Sequence, residues 1–364
     1  MPDALPPALE RILDAARWAP SGDNAQPWSF EIKGENDVMV SIHRERGNVY
    51  EYRDGEPTVI SAGTLLENIA IAAPAFGRAA SWTYTGSDAG AHRIAVHLAP
   101  GPTARDPLLA EIPKRSVDRR PYRMRPLPSE VRAVLSEAAG PDMAVEWHES
   151  LTARRRIASL TNQATDIRLR IPEAYDVHRR IVDWDRLESP TGIPARALGL
   201  DAMTLKIMRW SMAEWKRTDF GNRMGSTVFA GLQMDVLPGI CSAAYFAFRP
   251  RAGVARGAER IAQLLRAGQS VQRLWLTASQ LGLAMQPCQA VLAFTHYGAA
   301  GEAFTNRARE RASAERLARN AEKILARPEE LVFLARIGFA GARVQRSRST
   351  RKELASLIQR RPDA

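Results

Sequence analysis

Residues 19–28 read Ala-Pro-Ser-Gly-Asp-Asn-Ala-Gln-Pro-Trp. Between the two prolines lie a hydroxyl on Ser21, carboxamides on Asn24 and Gln26, and a run of backbone N–H groups. Such groups suit the hydrogen-bonding edge of a flat heterocycle. In an isolated loop they would instead satisfy local backbone. A second set, Arg115, Ser116, Arg119 and Arg120, combines forked guanidinium donors with a hydroxyl and suits a dianion. A third basic stretch, residues 336–354, carries Arg346, Arg348 and Arg351. The six histidines are dispersed, and Cys241 and Cys288 form neither a disulfide framework nor a metal motif. We therefore expect no metal and no catalytic side chain. Any redox chemistry must come from a bound cofactor.

These groups sit between recognisable elements. An apolar helix over 6–17 runs into Ala19-Pro20 and stops, because the residue before proline avoids the helical region. Alternation predicts strands at 28–34 and 37–44, then at 79–85 and 92–98 around a turn-rich Gly-Ser-Asp-Ala-Gly-Ala. Six prolines make 100–127 a linker. Helices follow at 129–139, 151–170 and 172–188, then strand-like 240–248, a long helix at 257–281, a strand at 290–297, a helix at 302–326 and a strand at 331–337. The mixture lacks regular strand–helix alternation, so the fold class is α+β.

One helix pattern occurs twice. Residues 62–77 and 267–282 both open Ala-Gly and both close on a glycine fourteen positions after the first (Gly63 to Gly77; Gly268 to Gly282). Apolar residues recur at helical spacing in each. Pro74 interrupts the first copy and should shorten it. The chain reads as two diverged halves, 1–105 and 106–364, the second enclosing an insert at 185–240. Only the first half holds the 19–28 loop and only the second holds the basic opening at 113–128, so one complete site can be assembled from both.

The string Pro-Ser-x-x-Asn-x-Gln-Pro-Trp behind a helix resembles the flavin loop of the nitroreductase superfamily. The opening Arg115, Ser116, Arg119/Arg120 resembles that family's phosphate segment, with the second anchor either Arg119 or Arg120. The resemblance spans about 8–352, apart from the insert. It implies FMN as cofactor, NAD(P)H as reductant and a small-molecule electron acceptor. It further implies that the loop holding Met285, Gln286 and Pro287 points a backbone N–H at the flavin ring, and that Arg346 or Arg348, with Arg351 in reserve, reaches the phosphate. Ordinary members are intertwined homodimers. A fused version, similar to the Acg-like and MoeY-type branch, would be an intertwined pseudo-dimer with one intact site, monomeric or weakly dimeric. The insert holds Met208, Trp210, Met212, Trp215, Phe220 and Met224. Aromatic and Met residues at helical spacing read first as core, and otherwise as a helical lid over the flavin. A lidded member would sequester FMN instead of turning it over.

Composition bounds the rest. Hydrophobic residues make up 45% and charged residues 25% of 364, which are the proportions of a globular protein. The net charge is +11, almost all of it from scattered arginine. Without basic and aromatic residues interleaved on one short element, we expect no nucleic-acid partner. No run of about 18 apolar residues stands out, and the N-terminus does not read as a secretory signal. We expect no membrane partner and a cytoplasmic location.

Overall fold

The computed structural model describes residues 5–88, 90–341 and 346–359. In chain order the helices are α1 (Pro7–Ala16), α2 (Glu56–Ala72), α3 (Ser129–Ala138), α4 (Leu151–Arg170), α5 (Pro172–Ile181), α6 (Ala202–Met212), α7 (Trp215–Arg223), α8 (Ser226–Gly231), α9 (Leu237–Ile240), α10 (Gly257–Gln280), α11 (Gln289–Ala300) and α12 (Ala308–Ile324). The strands are β1 (Trp28–Ile32), β2 (Asp37–His43), β3 (Arg78–Asp88), β4 (Ala91–Pro100), β5 (Met143–His148), β6 (Val182–Asp183), β7 (Glu188–Ser189), β8 (Ile193–Pro194), β9 (Ala244–Pro250), β10 (Leu283–Pro287), β11 (Phe333–Phe339) and β12 (Arg348–Ser349).

Two antiparallel four-stranded sheets organise the chain, in the orders β1-β2-β4-β3 and β10-β11-β9-β5. Phe30, Val40 and Ile94 of the first sheet share one buried cluster with Phe246, Phe248 and Ile337 of the second. Helices α2 and α10 form the spine of that cluster. Chain segments also cross between the sheets. Phe30 N–H donates to Leu357 O at 2.8 Å and Gln359 N–H to Phe30 O at 2.8 Å, so the end of the chain extends the β1 edge. The segment before α3 meets the second sheet through bridges from Val117 to Met285 and from Arg123 to Phe339.

Helix α1 buries Leu9, Ile12, Leu13 and Ala16, one stripe of an amphipathic helix, and starts with Pro7 where a missing N–H costs nothing. Helix α2 is buried nearly all round. The stretch Arg53–Phe76 is long and apolar enough to span a bilayer by composition alone (mean hydropathy 1.5), but 72% of that window is buried inside the protein, as befits a core helix. Pro74 converts its last turn into a 3₁₀ segment, Ala73–Phe76, so the first repeat helix ends early as expected.

Helices α2 and α10 cross at Gly63 and Gly268, 205 positions apart. Beyond the crossing, Arg273 Nε donates to Glu67 Oε1 at 2.5 Å and Gln272 Nε2 to Asn68 Oδ1 at 2.7 Å. Exchanging each residue for its counterpart 205 positions away turns the pair 67/273 into the pair 272/68. The two contacts are thus reciprocal under that shift.

Three expectations need correction. Residues 290–297 lie in helix α11, not in a strand, and the sheet position belongs to 283–287. A uniformly apolar run does not distinguish a buried helix from a strand; here Pro287 closes the strand and Gly301, at φ 68°, closes the helix. Helix α5 stops at Ile181, short of 188. In the insert, Met212 is 8% exposed, whereas Trp210, Phe220 and Met224 are 60–74% exposed, so core burial fails for half of that set.

Candidate functional site

Three distant segments meet around a cavity of about 500 Å³ of free space, open solvent included. The loop before β1 contributes Ser21, Asp23 and Asn24; the segment before α3 contributes Arg115, Ser116 and Arg119; the tail contributes Arg348, Ser349 and Arg351. Ile193 and Ala197, from the start of the insert, complete the wall.

The loop is strained. Asp23, Asn24 and Gln26 have φ of 52°, 58° and 52°, in the left-handed region that L residues seldom adopt. Each costs about 1–3 kcal/mol and persists only where its surroundings hold it. Ser21 Oγ accepts the Gln26 N–H at 2.9 Å, closing the turn. Asn24 Nδ2 donates to Pro190 O and Thr350 O, both at 3.2 Å. Asn24 Oδ1 is buried with no hydrogen-bond partner among the described residues. Gln26 does not reach the cavity. Its Nε2 donates to Asn24 O at 3.0 Å and Pro190 O at 2.8 Å, and its Oε1 accepts the Lys352 N–H at 2.8 Å. It is a structural pin between loop, insert and tail.

The electrostatics are one-sided. Arg115 is 5% exposed, stacks on the Trp275 ring at 4.3 Å from its centroid, and leaves Nε without a partner. Among the described residues no carboxylate pairs with it. Burial, then Arg351 and Arg348, hold its pKa well below the usual arginine range. Burial likewise lowers Arg119 to about 10, while Asp23 pulls it back up. Burial, with Arg348 and Arg17, lowers Arg351 to about 9. Arginine nevertheless stays protonated in proteins, so these shifts measure first the cost of burying these cations and then that of placing them together. A dianion relieves that cost. Among the described residues, Asp23 is the one acid in the cavity wall, raised to about 6 by burial and by Glu45 against the opposing pull of Arg119 and Arg168.

Arg119 and Arg120 lie in different surroundings. Arg119 lines the cavity and donates Nη1 to Ala197 O at 3.2 Å. Arg120 clasps Asp118 through Nε–Oδ1 at 2.9 Å and Nη2–Oδ2 at 2.6 Å, within its own segment. In the tail, Arg348 lines the cavity with its Nε unpartnered, while Arg346 is exposed and outside the wall. The expected loop at 285–287 is a strand. Met285, Gln286 and Pro287 are strand residues in ladder with Ile337, Arg336 and Ala335, and none lines the cavity. Met285 O accepts the Asp118 N–H at 3.2 Å, which docks the arginine-bearing segment onto β10.

Sequence reasoning missed Arg336, Trp275 and Asp23. Arg336 is 2% exposed and bonds Gln286 Oε1 at 2.7 Å, Arg120 O at 3.0 Å and Asp118 O at 3.4 Å, so it sets the backbone that carries Arg119. Its signal was an arginine inside an otherwise apolar strand, which burial permits only with multiple acceptors. Asp23 stood in plain view at a variable position of the loop.

The start of the insert closes the site. Strand β7 pairs in parallel with β12, joining Glu188 and Ser189 to Arg348 and Ser349. Ser349 Oγ donates to Gly192 O at 2.8 Å, and a Cβ at Gly199 would touch the Arg119 backbone at 3.1 Å. Residues 187–199 therefore lie across all three contributing segments.

No protein-family model matches the sequence, and no curated protein is detectably similar. Among solved structures, the chain is similar to the FMN-dependent nitroreductase NfnB from Mycobacterium smegmatis in complex with NADPH. That match has 19% identity over 68% of this chain and 94% of that chain, with a TM-score of 0.37. It is also similar to a putative nitroreductase from Anabaena variabilis, with 12% identity, coverage of 84% and 69%, and a TM-score of 0.40. A third likeness is to a putative nitroreductase in complex with FMN from Desulfovibrio desulfuricans, with 12% identity, coverage of 72% and 100%, and a TM-score of 0.34.

Proposed function

We propose that the protein binds FMN and acts as an oxidoreductase, taking hydride from NAD(P)H and delivering it to an electron-poor small molecule. The observation that carries this reading is the buried guanidinium of Arg115, without a carboxylate, in a cavity wall that gathers Arg119, Arg348 and Arg351 against one acid. The donor set fits the two ends of that cofactor. Arg115, Ser116, Arg119 and Arg348 would take the phosphate dianion. Ser21 and Asn24 would take the polar edge of the ring, where the unpartnered Asn24 Oδ1 can accept an N–H. Bound flavin supplies hydride transfer. The chain's own part is to anchor the phosphate, orient the ring and, with 187–199 across the cavity, exclude water.

The two-copy reading is part of this proposal. Halves 1–105 and 106–364 form an intertwined, monomeric pseudo-dimer, supported by the reciprocal α2–α10 contacts and the crossing of segments between sheets. One site then draws its ring contacts from the first half and its anion contacts from the second.

A second reading has its own observation. Pro190 O and Ala197 O take hydrogen bonds from Asn24, Gln26 and Arg119, so the insert occupies donors that would otherwise face a substrate. A permanently covered flavin would be stored, not turned over.

Anaerobic titration of FMN-loaded protein with NADH and NADPH separates the two. Rapid bleaching of the visible flavin band is the oxidoreductase outcome. Flavin that bleaches with dithionite but not with either nucleotide is the storage outcome. Failure of Arg115→Ala with Arg119→Ala to lower flavin content would refute the anion site under both.

A further inference from the structure

We propose that helices α6 and α7 of the insert form a docking surface for an anionic lipid bilayer. Nine of the fifteen large hydrophobic residues that are exposed among the described residues fall between 203 and 237. Scattered exposed apolar side chains need no explanation, but this concentration does.

The exposure is one-sided. On α6, Met203, Ile207 and Trp210 are 66%, 58% and 60% exposed, at the i, i+4, i+7 spacing of a single stripe. The opposite side packs inward through Leu205, Met208 and Met212. On α7, Phe220 is 65% exposed and Met224, at its cap, 74%. Its Trp215 turns inward, edge-on to Tyr175 at 5.2 Å and under Arg307 at 5.1 Å. The helices pack on each other, with Ser211 and Thr218 hydroxyls 3.2 Å apart, so the two stripes lie on adjoining helices.

The charges around the stripes name the partner. At about 100° per residue, Lys216, Arg217 and Arg223 all project within about 60° of Phe220, and Lys206 lies about 60° from Met203. Residues 202–225 hold five basic side chains against two acidic ones. The acids do not cover the apolar tips: Glu214 pairs with Arg217 at 2.7 Å, and Asp219, 15% exposed, bridges Arg223 and Arg307. Lys206 and Lys216 have no ion pair among the described residues.

Aromatic and aliphatic tips ringed by long cationic side chains match a bilayer interface, where the tips enter the acyl boundary and the cations reach anionic headgroups. A second copy of this chain is the poorer occupant. Two-fold pairing of the face would set Lys206, Lys216 and Arg223 against their own kind. The contact is peripheral, and it revises the expectation that no membrane takes part.

The test is sedimentation of the full chain with vesicles of phosphatidylcholine alone and of phosphatidylcholine with phosphatidylglycerol. Expected is at least tenfold stronger partitioning onto the anionic vesicles, weakening as salt rises. The charge-neutral pair Phe220→Ser with Met224→Ser should lower partitioning at least tenfold while leaving flavin content and thermal unfolding unchanged. Lys206→Gln with Lys216→Gln should erase the preference for phosphatidylglycerol. Absence of binding to anionic vesicles overturns the proposal. Equal binding of wild type and the serine pair also overturns it, because net charge alone would then explain adhesion. A dimer in light scattering that the serine pair dissolves overturns it in favour of self-association.

Discussion

Gly63 and Gly268 leave each other no room for a side chain: a Cβ on Gly63 would stand 2.1 Å from Leu265 O and 2.8 Å from Gly268 Cα, and one on Gly268 would stand 2.1 Å from Ile60 O. The obstacles on both sides are backbone, which does not swing away as a flexible side chain would. Gly63→Ala or Gly268→Ala must separate α2 from α10 at the centre of the shared core. Each should cost about 3 kcal/mol or more in urea unfolding. Gly22→Ala is the control, since nothing lies within 4 Å of a Cβ there. Equal stability of Gly63→Ala and wild type would show that the helices do not cross at this contact.

Arg115→Met should separate binding from folding. An unpaired buried cation destabilises a protein, and an apolar residue of similar length relieves the penalty, by about 1–4 kcal/mol where buried charges have been replaced. The variant without ligand should therefore melt no lower than wild type. Added FMN should raise the melting temperature of wild type by mass action and leave Arg115→Met unmoved. Riboflavin, which lacks the phosphate, should stabilise wild type far less than FMN. A variant that keeps the full FMN shift would remove Arg115 from the site.

Much of this cavity wall was legible because clustered arginines and tight turns leave strong marks in sequence. The residues Ser21, Asn24, Arg115, Ser116, Arg119 and Arg348 were all expected and all line one cavity. The Ala-Gly openings marked two similar helices, but that they cross there, with Gly63 against Gly268, is visible only in the structure. Gln26 was misread because a carboxamide that pins two segments has the same sequence as one that binds a ligand; only Pro190 and Lys352, over 160 positions away, decide between them. The 285–287 segment was misread for a related reason. A glycine, a short apolar run and a proline describe a loop and an edge strand equally well, and only the pairing with β11 settles it. The insert defeated a rule of thumb, since helical spacing of Met and aromatic residues shows that one face is apolar but not that anything covers it.

Asp23 should govern part of the pH dependence. Its carboxyl is raised from 3.8 to about 6, first by burial and then by Glu45. A raised carboxyl binds its proton more tightly folded than unfolded, so its contribution to stability is greatest below the unfolded value and falls as pH climbs from about 4 to about 6. Asp23→Asn removes that decline. In denaturant unfolding at pH 4, 5, 6 and 7, the difference between variant and wild type should grow in the variant's favour up to about pH 6 and then level off. Taking the difference matters, because burial also raises Glu51 to about 7 and tilts both proteins, the charge of Asp23 being the smallest of the causes acting on Glu51. A difference that is flat across pH would mean that Asp23 ionises as freely folded as unfolded.

The segment over the cavity can be loosened without touching any group assigned to flavin. Gly192 has φ +70°, and a Cβ on it would lie 2.2 Å from Ile181 O. Ala at this position both strains the backbone and pushes β8 away from the end of α5. Gly192 O also accepts the Ser349 hydroxyl, so the displacement pulls directly on the contact between insert and tail. Gly192→Ala should therefore open the cover while the anion-binding arginines stay in place. If 187–199 gates the flavin, FMN should dissociate at least several-fold faster from the variant in a fluorescence-recovery assay. Bleaching by NAD(P)H should become faster as well. The two readings of function part here. An oxidoreductase that already admits nucleotide would gain little in reduction rate, whereas a storage protein would acquire a nucleotide reaction that it lacked. An unchanged dissociation rate, in a variant that unfolds at lower denaturant as the strain requires, would show that the insert covers the cavity without controlling it.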